Sequence, residues 1–446
     1  MKKNNGIHFY INLRNLDDVI ENEELRTGEI KHSVLALDTF FSSVELYGKK
    51  HYSKELVIEK ITGSRLHMYV VSDDIVRCFE VVSAVAQYSQ KLVYYMSQNI
   101  SKYKTLIRFQ LQVGACHGNF YEFTFNEGKP DAELTTIGYA CNYAAKLQAV
   151  SAIGHIAISE SIYDNLTGDQ KKAFERIDSD LVKKYEQDYY CDAKISDLVS
   201  RFCFEKDLEK AREIASRVNL QDVNFRGAIK AVSFDTLSKT EGKKIQGIPF
   251  FADVRGFTSQ FDSDDANLEE MAVKTQNILT SMHQMILERK GIHVQFQGDR
   301  EMALFHDYGE YRCASDAVVA GLKIIDKVKE FSVSVGVGQA SGRLFAAKIG
   351  ARNSRDNILL GRTVNQADEN EDKHAGKNQV VISKDIYEAI KADRPLLASL
   401  FSKKADDLYY TESGYKSFLQ NSQKSTLDTN NRQRNYNGAW SYCEWK

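Results

Sequence analysis

The chain has 446 residues, with 59 Lys and Arg against 61 Asp and Glu and a hydrophobic share of 43%. At that length one core stops growing, so two domains are expected; the balanced charge and ordinary apolar content exclude a disordered chain and any overall basic field that would gather nucleic acid or an anionic membrane. Seven scattered cysteines with no Cys-x-x-Cys pair argue against a disulfide scaffold and a structural zinc site and fit a reducing cytoplasm. The N-terminal MKKNNGIHFYINLRNLDD holds no sustained apolar stretch, and no eighteen consecutive apolar residues occur anywhere, so a cytoplasmic location without a membrane span is expected.

In chain order, residues 1–32 read as an N-terminal extension and residues 33–38 (SVLALD) as the first strand of a degenerate domain spanning 33–190. Residues 56–61 and 66–71 flank a Thr-Gly-Ser turn, 74–97 has helical spacing, 106–116 reads as a strand and 138–150 as a helix. A helical connector is expected over 191–225, including the charged run at 205–218. The domain at 226–400 repeats the order. It has a strand at 245–253, a helix over 268–289, a hairpin of 292–296 and 302–305 about Gln-Gly-Asp, a helix over 314–328 and strands near 331–337 and 343–349. Strand, helix, hairpin, helix, strand is the ferredoxin-like order, so the fold class is α+β with two ferredoxin-like domains in one chain. Residues 401–446 form a tail that a closing hairpin would fit. Asp38 lies 26 positions before the hairpin tip at Ser64 (38 to 64), whereas Asp253 lies 46 before Asp299 (253 to 299); the first half is therefore expected to lack most of one helix.

Residues 251–258 (FADVRGFT) place Asp253 at a strand end, followed by a Gly-containing turn and by Thr258 at a helix start. Amides at such a turn cradle phosphate oxygens, and the carboxylate beside them suits a divalent cation. Asp299 stands at the tip of the hairpin that a ferredoxin-like sheet sets next to that strand. Either residue alone reads as an ordinary turn aspartate; the two together fit two-metal phosphoryl-transfer chemistry.

With their flanks, FADVRGFT, FQGDREMALF (296–305) and GRTVNQADEN (361–370) resemble the core blocks of class III nucleotide cyclases. The resemblance covers most of 230–390. It is weaker in the first half, where VLALDTFF, EKITGSRLHMYV, QVGACHG and IGYACNYAAKLQAV carry it. It implies conversion of a nucleoside triphosphate into its 3′,5′-cyclic monophosphate and pyrophosphate, with two divalent cations, Mn²⁺ or Mg²⁺, at a site shared by two cyclase domains. Asp253, Asp299 and the Val254 carbonyl fall on metal positions, and the Phe257 and Thr258 amides on triphosphate positions. Asn142 matches the ribose-orienting asparagine, Lys146 stands where a transition-state arginine is usual, and Lys60 matches the base-reading lysine. Gly336 replaces a phosphate-binding arginine, with Arg255 and Arg343 as candidate substitutes. The complementary set fails, since Asn365 is kept but Glu369 replaces the arginine, while Asp38 is kept but Ser64 replaces the second metal aspartate. One competent site in an internal pseudo-heterodimer is expected.

Adenine-specific members pair the lysine with an aspartate where this chain has Thr135. Cytosine presents the same local polarity as adenine, an amine beside a ring-nitrogen acceptor, which a lysine donor and a threonine acceptor serve. The soluble fused arrangement resembles the pyrimidine cyclases of bacterial antiphage (Pycsar) systems. That likeness implies cytidylate cyclase activity, ahead of uridylate or adenylate cyclase, with cyclic CMP activating a downstream effector. The reading from another class is a catalytically silent cyclase-like nucleotide sensor. No nucleic acid or membrane partner is expected. A monomer with an internal pseudo-dimer and a higher homo-oligomer both remain open, as does pairing of halves between chains.

Overall fold

The computed structural model describes residues 2–104, 107–125, 132–185, 187–199, 202–256, 268–351 and 355–423. In the first half, β1 (Lys2–Leu13) is followed by α1 (Leu16–Thr27), α2 (Lys31–Tyr52), the hairpin β2 (Leu56–Thr62) and β3 (Arg65–Val71), α3 (Ile75–Asn99) and β4 (Leu111–Phe125). These strands lie in the order β2-β3-β1-β4, the ferredoxin-like arrangement. Next come β5 (Glu133–Ile137), α4 (Tyr139–Val150), β6 (His155–Ser159), α5 (Glu160–Asn165), α6 (Gly168–Lys171), β7 (Glu175–Ile177), α7 (Asp180–Lys184) and β8 (Tyr190–Lys194). The sheet continues past β4 as β6-β8-β7, and β5 pairs with the outer part of β4.

After α8 (Glu205–Ser216) and β9 (Asn224–Gly227), the second half repeats the plan with β10 (Glu241–Arg255), α9 (Leu268–Leu287), β11 (Ile292–Gln297), β12 (Arg300–His306), α10 (Ala314–Val328) and β13 (Ser334–Gln339). It ends with β14 (Gly342–Ile349), β15 (Asp356–Leu360), α11 (Arg362–Glu369), β16 (Gln379–Ser383), α12 (Lys384–Asp393), α13 (Pro395–Ala398), β17 (Ser402–Ala405) and β18 (Leu408–Thr411). Its strand order, β11-β12-β10-β13-β16-β18-β17, is that of the first sheet. The mixed α+β fold with two ferredoxin-like domains is as the sequence reading expects.

The boundaries in the first half differ from that reading. Residues 33–38 are helical, inside α2, and residues 1–32 are no extension, because β1 is an inner strand between β3 and β4. Every side chain of α2 from Ser33 to Glu45 is buried, among α3, α8 and β14. A helix enclosed on all sides loses its polar stripe, so its apolar run mimics a strand. Register identifies the true counterparts: Asn12 lies opposite Arg65 as Asp253 lies opposite Arg300. Asn12 therefore stands in the place expected for Asp38, and the first half has lost no helix. Asp38 is a buried tie between halves, bound by Lys239 at 2.5 Å and by the Gly350 N–H at 3.2 Å.

The expected connector also contracts, since residues 191–194 belong to β8 and α8 is docked on α2 through Lys50 and His51, which reach Asp207 at 2.7 and 3.0 Å. The closing hairpin is β17–β18, within 402–411; residues 424–446 lie outside the described residues.

The halves exchange arms. Phe345, Ala347, Ile349, Ile358 and Leu360 of the β14–β15 arm belong to the first-half core, while Phe123, Phe125 and Ile137 of the β4–β5 arm belong to the second-half core. Each such phenylalanine contributes about 1.5–3 kcal/mol of burial, so neither half closes its core alone. The two domains pair within one chain.

Candidate active site between the halves

The turn joining β11 to β12 has Gly298 at φ +71°, and the turn joining β2 to β3 has Gly63 at φ +60°. Left-handed backbone favours glycine at both tips. In the second half the residue after the tip is Asp299, one strand from Asp253 at the end of β10. The Asp299 Oδ2 atom is buried and has no hydrogen-bond partner among the described residues. Burial first, and then the charge of Asp253, push the Asp299 carboxyl well above its ordinary range. Asp253 is also raised by burial, against the pull of Arg300, Arg255 and Lys146. Two carboxylates that repel each other, one with an orphaned buried oxygen, fit a divalent cation, which would relieve both costs. Val254, the next residue of β10, packs its side chain into the second-half core. Phe257 and Thr258 lie outside the described residues.

Lys146 comes from the other half. It is exposed on α4, and its charge acts on both Asp253 and Asp299. Asn142 is four residues earlier, on the same face of the helix. Helix α4 lies close on β4 because Gly114 leaves room; a Cβ there would stand 2.0 Å from the Gln148 nitrogen. The pseudo-equivalent Gly338 does the same under Glu371, where a Cβ would stand 2.2 Å from nitrogen.

Lys60 and Thr135 also meet. The Lys60 ammonium, 3% exposed, donates to Thr135 Oγ1 at 3.3 Å, to the Phe296 carbonyl of the second half at 3.1 Å, and to Glu133. Burial opposes its charge, but Glu133 and Glu59 more than offset this and hold its pKa above the ordinary value. All three ammonium hydrogens are thus engaged. Glu133 was not legible in the sequence. Its carboxylate also accepts the Phe296 N–H at 3.1 Å and faces His293 Nε2 at 3.2 Å.

Of the two candidate substitutes at Gly336, Arg255 occupies the space: a Cβ on Gly336 would lie 2.2 Å from its Nη2. Arg255 also reaches Asp253 at 3.1 Å and pairs with Glu371. Arg343 is engaged elsewhere, with Glu24 of the first half at 2.8 Å. Glu371 is pushed up to about 7 by burial, with Arg300 opposing.

At the mirror position the counterpart residues make other contacts. Asn12 donates to Gln112 at 3.5 Å, Asn365 hydrogen-bonds Asp17 of α1, and Glu369 pairs with Lys373 at 2.6 Å in an exposed contact. Ser64 follows Gly63 where the second-half hairpin has Asp299.

The fold of two paired ferredoxin-like domains is that of class III cyclases. Residues 245–411 match the family model of the adenylate and guanylate cyclase catalytic domain. Across both halves the chain is similar in fold to a class III adenylyl cyclase-like ATP-binding protein from Pseudomonas aeruginosa, at 16% identity and a TM-score of 0.70, covering 94% of this chain and 90% of that one. The adenylyl cyclase CyaB from P. aeruginosa aligns over 38% of this chain and 95% of its own, at 22% identity and a TM-score of 0.34. No curated protein sequence matches the chain significantly. Among the described residues no helix is long and apolar enough to cross a membrane.

Proposed function

We propose that the chain is a nucleotide cyclase with one working site, joining the ribose 3′-oxygen of a nucleoside triphosphate to its α-phosphorus and releasing pyrophosphate. The observation that carries this reading is the carboxylate pair, Asp253 at the end of β10 one strand from Asp299, whose buried Oδ2 has no hydrogen-bond partner among the described residues. Mn²⁺ or Mg²⁺ held by Asp253, Asp299 and the Val254 carbonyl would supply activation of the 3′-hydroxyl and neutralise the triphosphate. Lys146 opposes the charge that builds on the α-phosphoryl oxygens, and Asn142, one turn away, orients the ribose. The Phe257 and Thr258 amides take the β- and γ-phosphates. The work of the protein is positioning and charge stabilisation.

For the base we favour cytosine. Lys60 and Thr135 form a donor and acceptor pair, and the 3.3 Å bond between them is the longest that Lys60 makes, so it is the contact that a base edge would replace. On this reading the product is cyclic CMP, a second messenger in antiphage defence that switches on an effector; uridylate and adenylate cyclase are the alternatives. The purified protein, given an equimolar mixture of the four NTPs with Mn²⁺, should yield cyclic CMP as the main product by mass spectrometry. Cyclic AMP as sole product would refute the pyrimidine assignment.

A second reading, nucleotide binding without turnover, is favoured by the full set of partners that Lys60 already has. It predicts an intact triphosphate recovered from every incubation.

A further inference from the structure

Outside the carboxylate pair, two groups of histidines and carboxylates are gathered within ligand distance. One is His8, Glu59 and His67; the other is His283, His293 and Glu301. Their geometries differ. The first is a chain, in which Glu59 meets His67 Nδ1 at 3.0 Å, His67 Nε2 meets His8 Nδ1 at 3.0 Å, and His8 Nε2 meets Cys141 Sγ at 3.4 Å. In the second group, His283 Nδ1 from α9 and His293 Nδ1 from β11 both stand 3.2 Å from the same oxygen, Glu301 Oε1 of β12. Their rings are nearly perpendicular, at 81°, with centroids 4.8 Å apart.

We propose that His283, His293 and Glu301 form a binding site for a divalent transition metal of the zinc type, braced from the other half by Glu133. Metal bonds of about 2.0–2.1 Å in tetrahedral geometry set neighbouring donor atoms about 3.3 Å apart, which is close to the spacing found. The second carboxylate oxygen, Glu301 Oε2, is buried and finds no hydrogen-bond partner among the described residues; it is available as a further donor. Glu301 is 0% exposed and His283 7%, so the ligands are fixed by packing. His293 turns its remaining nitrogen, Nε2, to Glu133 at 3.2 Å, the outer carboxylate that metal-bound imidazoles characteristically keep.

Proton counting separates the two descriptions of this cluster. Without a metal, both Nδ1 atoms must carry hydrogen to share Glu301 Oε1, and His293 must also donate from Nε2, which makes it an imidazolium. With a metal, the three inner atoms offer lone pairs, and His293 keeps its Nε2–H for Glu133. The scattered cysteines speak against a thiolate site; these donors are imidazole and carboxylate, as in sites that take zinc or cobalt. Glu133 also holds Lys60, so a bound ion would brace the strand carrying Lys60 against the second half.

The test is spectroscopic and independent of turnover. Chelator-treated full-length protein titrated with Co²⁺ should show the intense visible d–d bands of a four-coordinate site at one equivalent, and Zn²⁺ should displace them. The bands should persist in an Asp253→Asn, Asp299→Asn double variant and vanish in His283→Gln and in His293→Gln. Glu133→Gln should keep them with affinity about 10- to 100-fold lower. Should the histidine variants fail to fold, persistence of the bands in His67→Gln together with the loss of affinity in Glu133→Gln decides the matter. Absence of four-coordinate bands in the wild type, or bands unchanged in His283→Gln, would overturn the proposal.

Discussion

The backbone N–H of Ile61 donates to Asp356 Oδ2 at 2.8 Å, tying the first half to the second through a strand end and a carboxylate. A pseudo-twofold copy runs the other way, from the Phe296 N–H to Glu133 at 3.1 Å. Ile61 and Phe296 hold equivalent places, each just after the irregularity in its hairpin strand. The two domains are therefore clasped by a reciprocal pair of carboxylates, both beside the candidate base position or its degenerate copy.

Asp356 gives this clasp a pH dependence. Burial raises its pKa from 3.8 to about 8, against the Ile61 N–H, which favours the charged form. The folded state thus holds a proton that the unfolded chain gives up near pH 4. The stabilisation is complete below that pH and is lost as pH rises through about 8. Asp356→Asn keeps an acceptor for Ile61 and removes the ionisation. Melting temperatures measured from pH 5 to pH 9 should fall more steeply for wild type than for the variant; parallel curves would contradict this assignment.

Lys146 is a point charge where a fork-shaped guanidinium would bind two phosphate oxygens at once. Lys146→Ala should lower kcat/KM by about 10²-fold, the scale for loss of one preorganised charge-stabilising group. Lys146→Arg should retain or exceed wild-type activity. Steady-state kinetics on both variants distinguishes this role from that of a solvated surface lysine, for which neither change would matter.

The exchanged arms predict a stability effect. Phe345 is fully buried in the first-half core, edge-on to Phe225 with centroids 5.3 Å apart. Phe345→Ala should cost about 3–5 kcal/mol, the usual range for emptying a buried phenylalanine site. Denaturant unfolding followed by circular dichroism measures it, and a cost under about 1 kcal/mol would mean that the arm is not part of that core.

How much of this was legible follows from where each signal lies. Asp253 and Asp299 could be read because each sits in a contiguous block with a turn glycine, and Asn142 and Lys146 because they are four apart on one helix. The first strand could not be read. The enclosed helix α2 offers an apolar run with no polar face, and SVLALD outweighed the true strand, HFYIN within β1, where Asn12 has replaced the aspartate that would have marked it. Glu133 and Asp356 carry no local signal either. Their partners are 163 and 295 positions away in sequence, and only the arm exchange brings them together. His283, His293 and Glu301 are spread over a helix and two strands in the same way.

On the proposed reading, carboxylates of one half and a lysine of the other make a single cyclising site. It is tested most directly by mass spectrometry of the nucleotides after incubation with NTPs and Mn²⁺, comparing wild type with Asp299→Ala. Asp299 contributes an orphaned, repelled carboxylate rather than packing, so the variant should fold as wild type does. A 3′,5′-cyclic monophosphate and pyrophosphate are expected from the wild type and neither from the variant. Equal turnover by both proteins, or triphosphate recovered intact from the wild type, would contradict that reading.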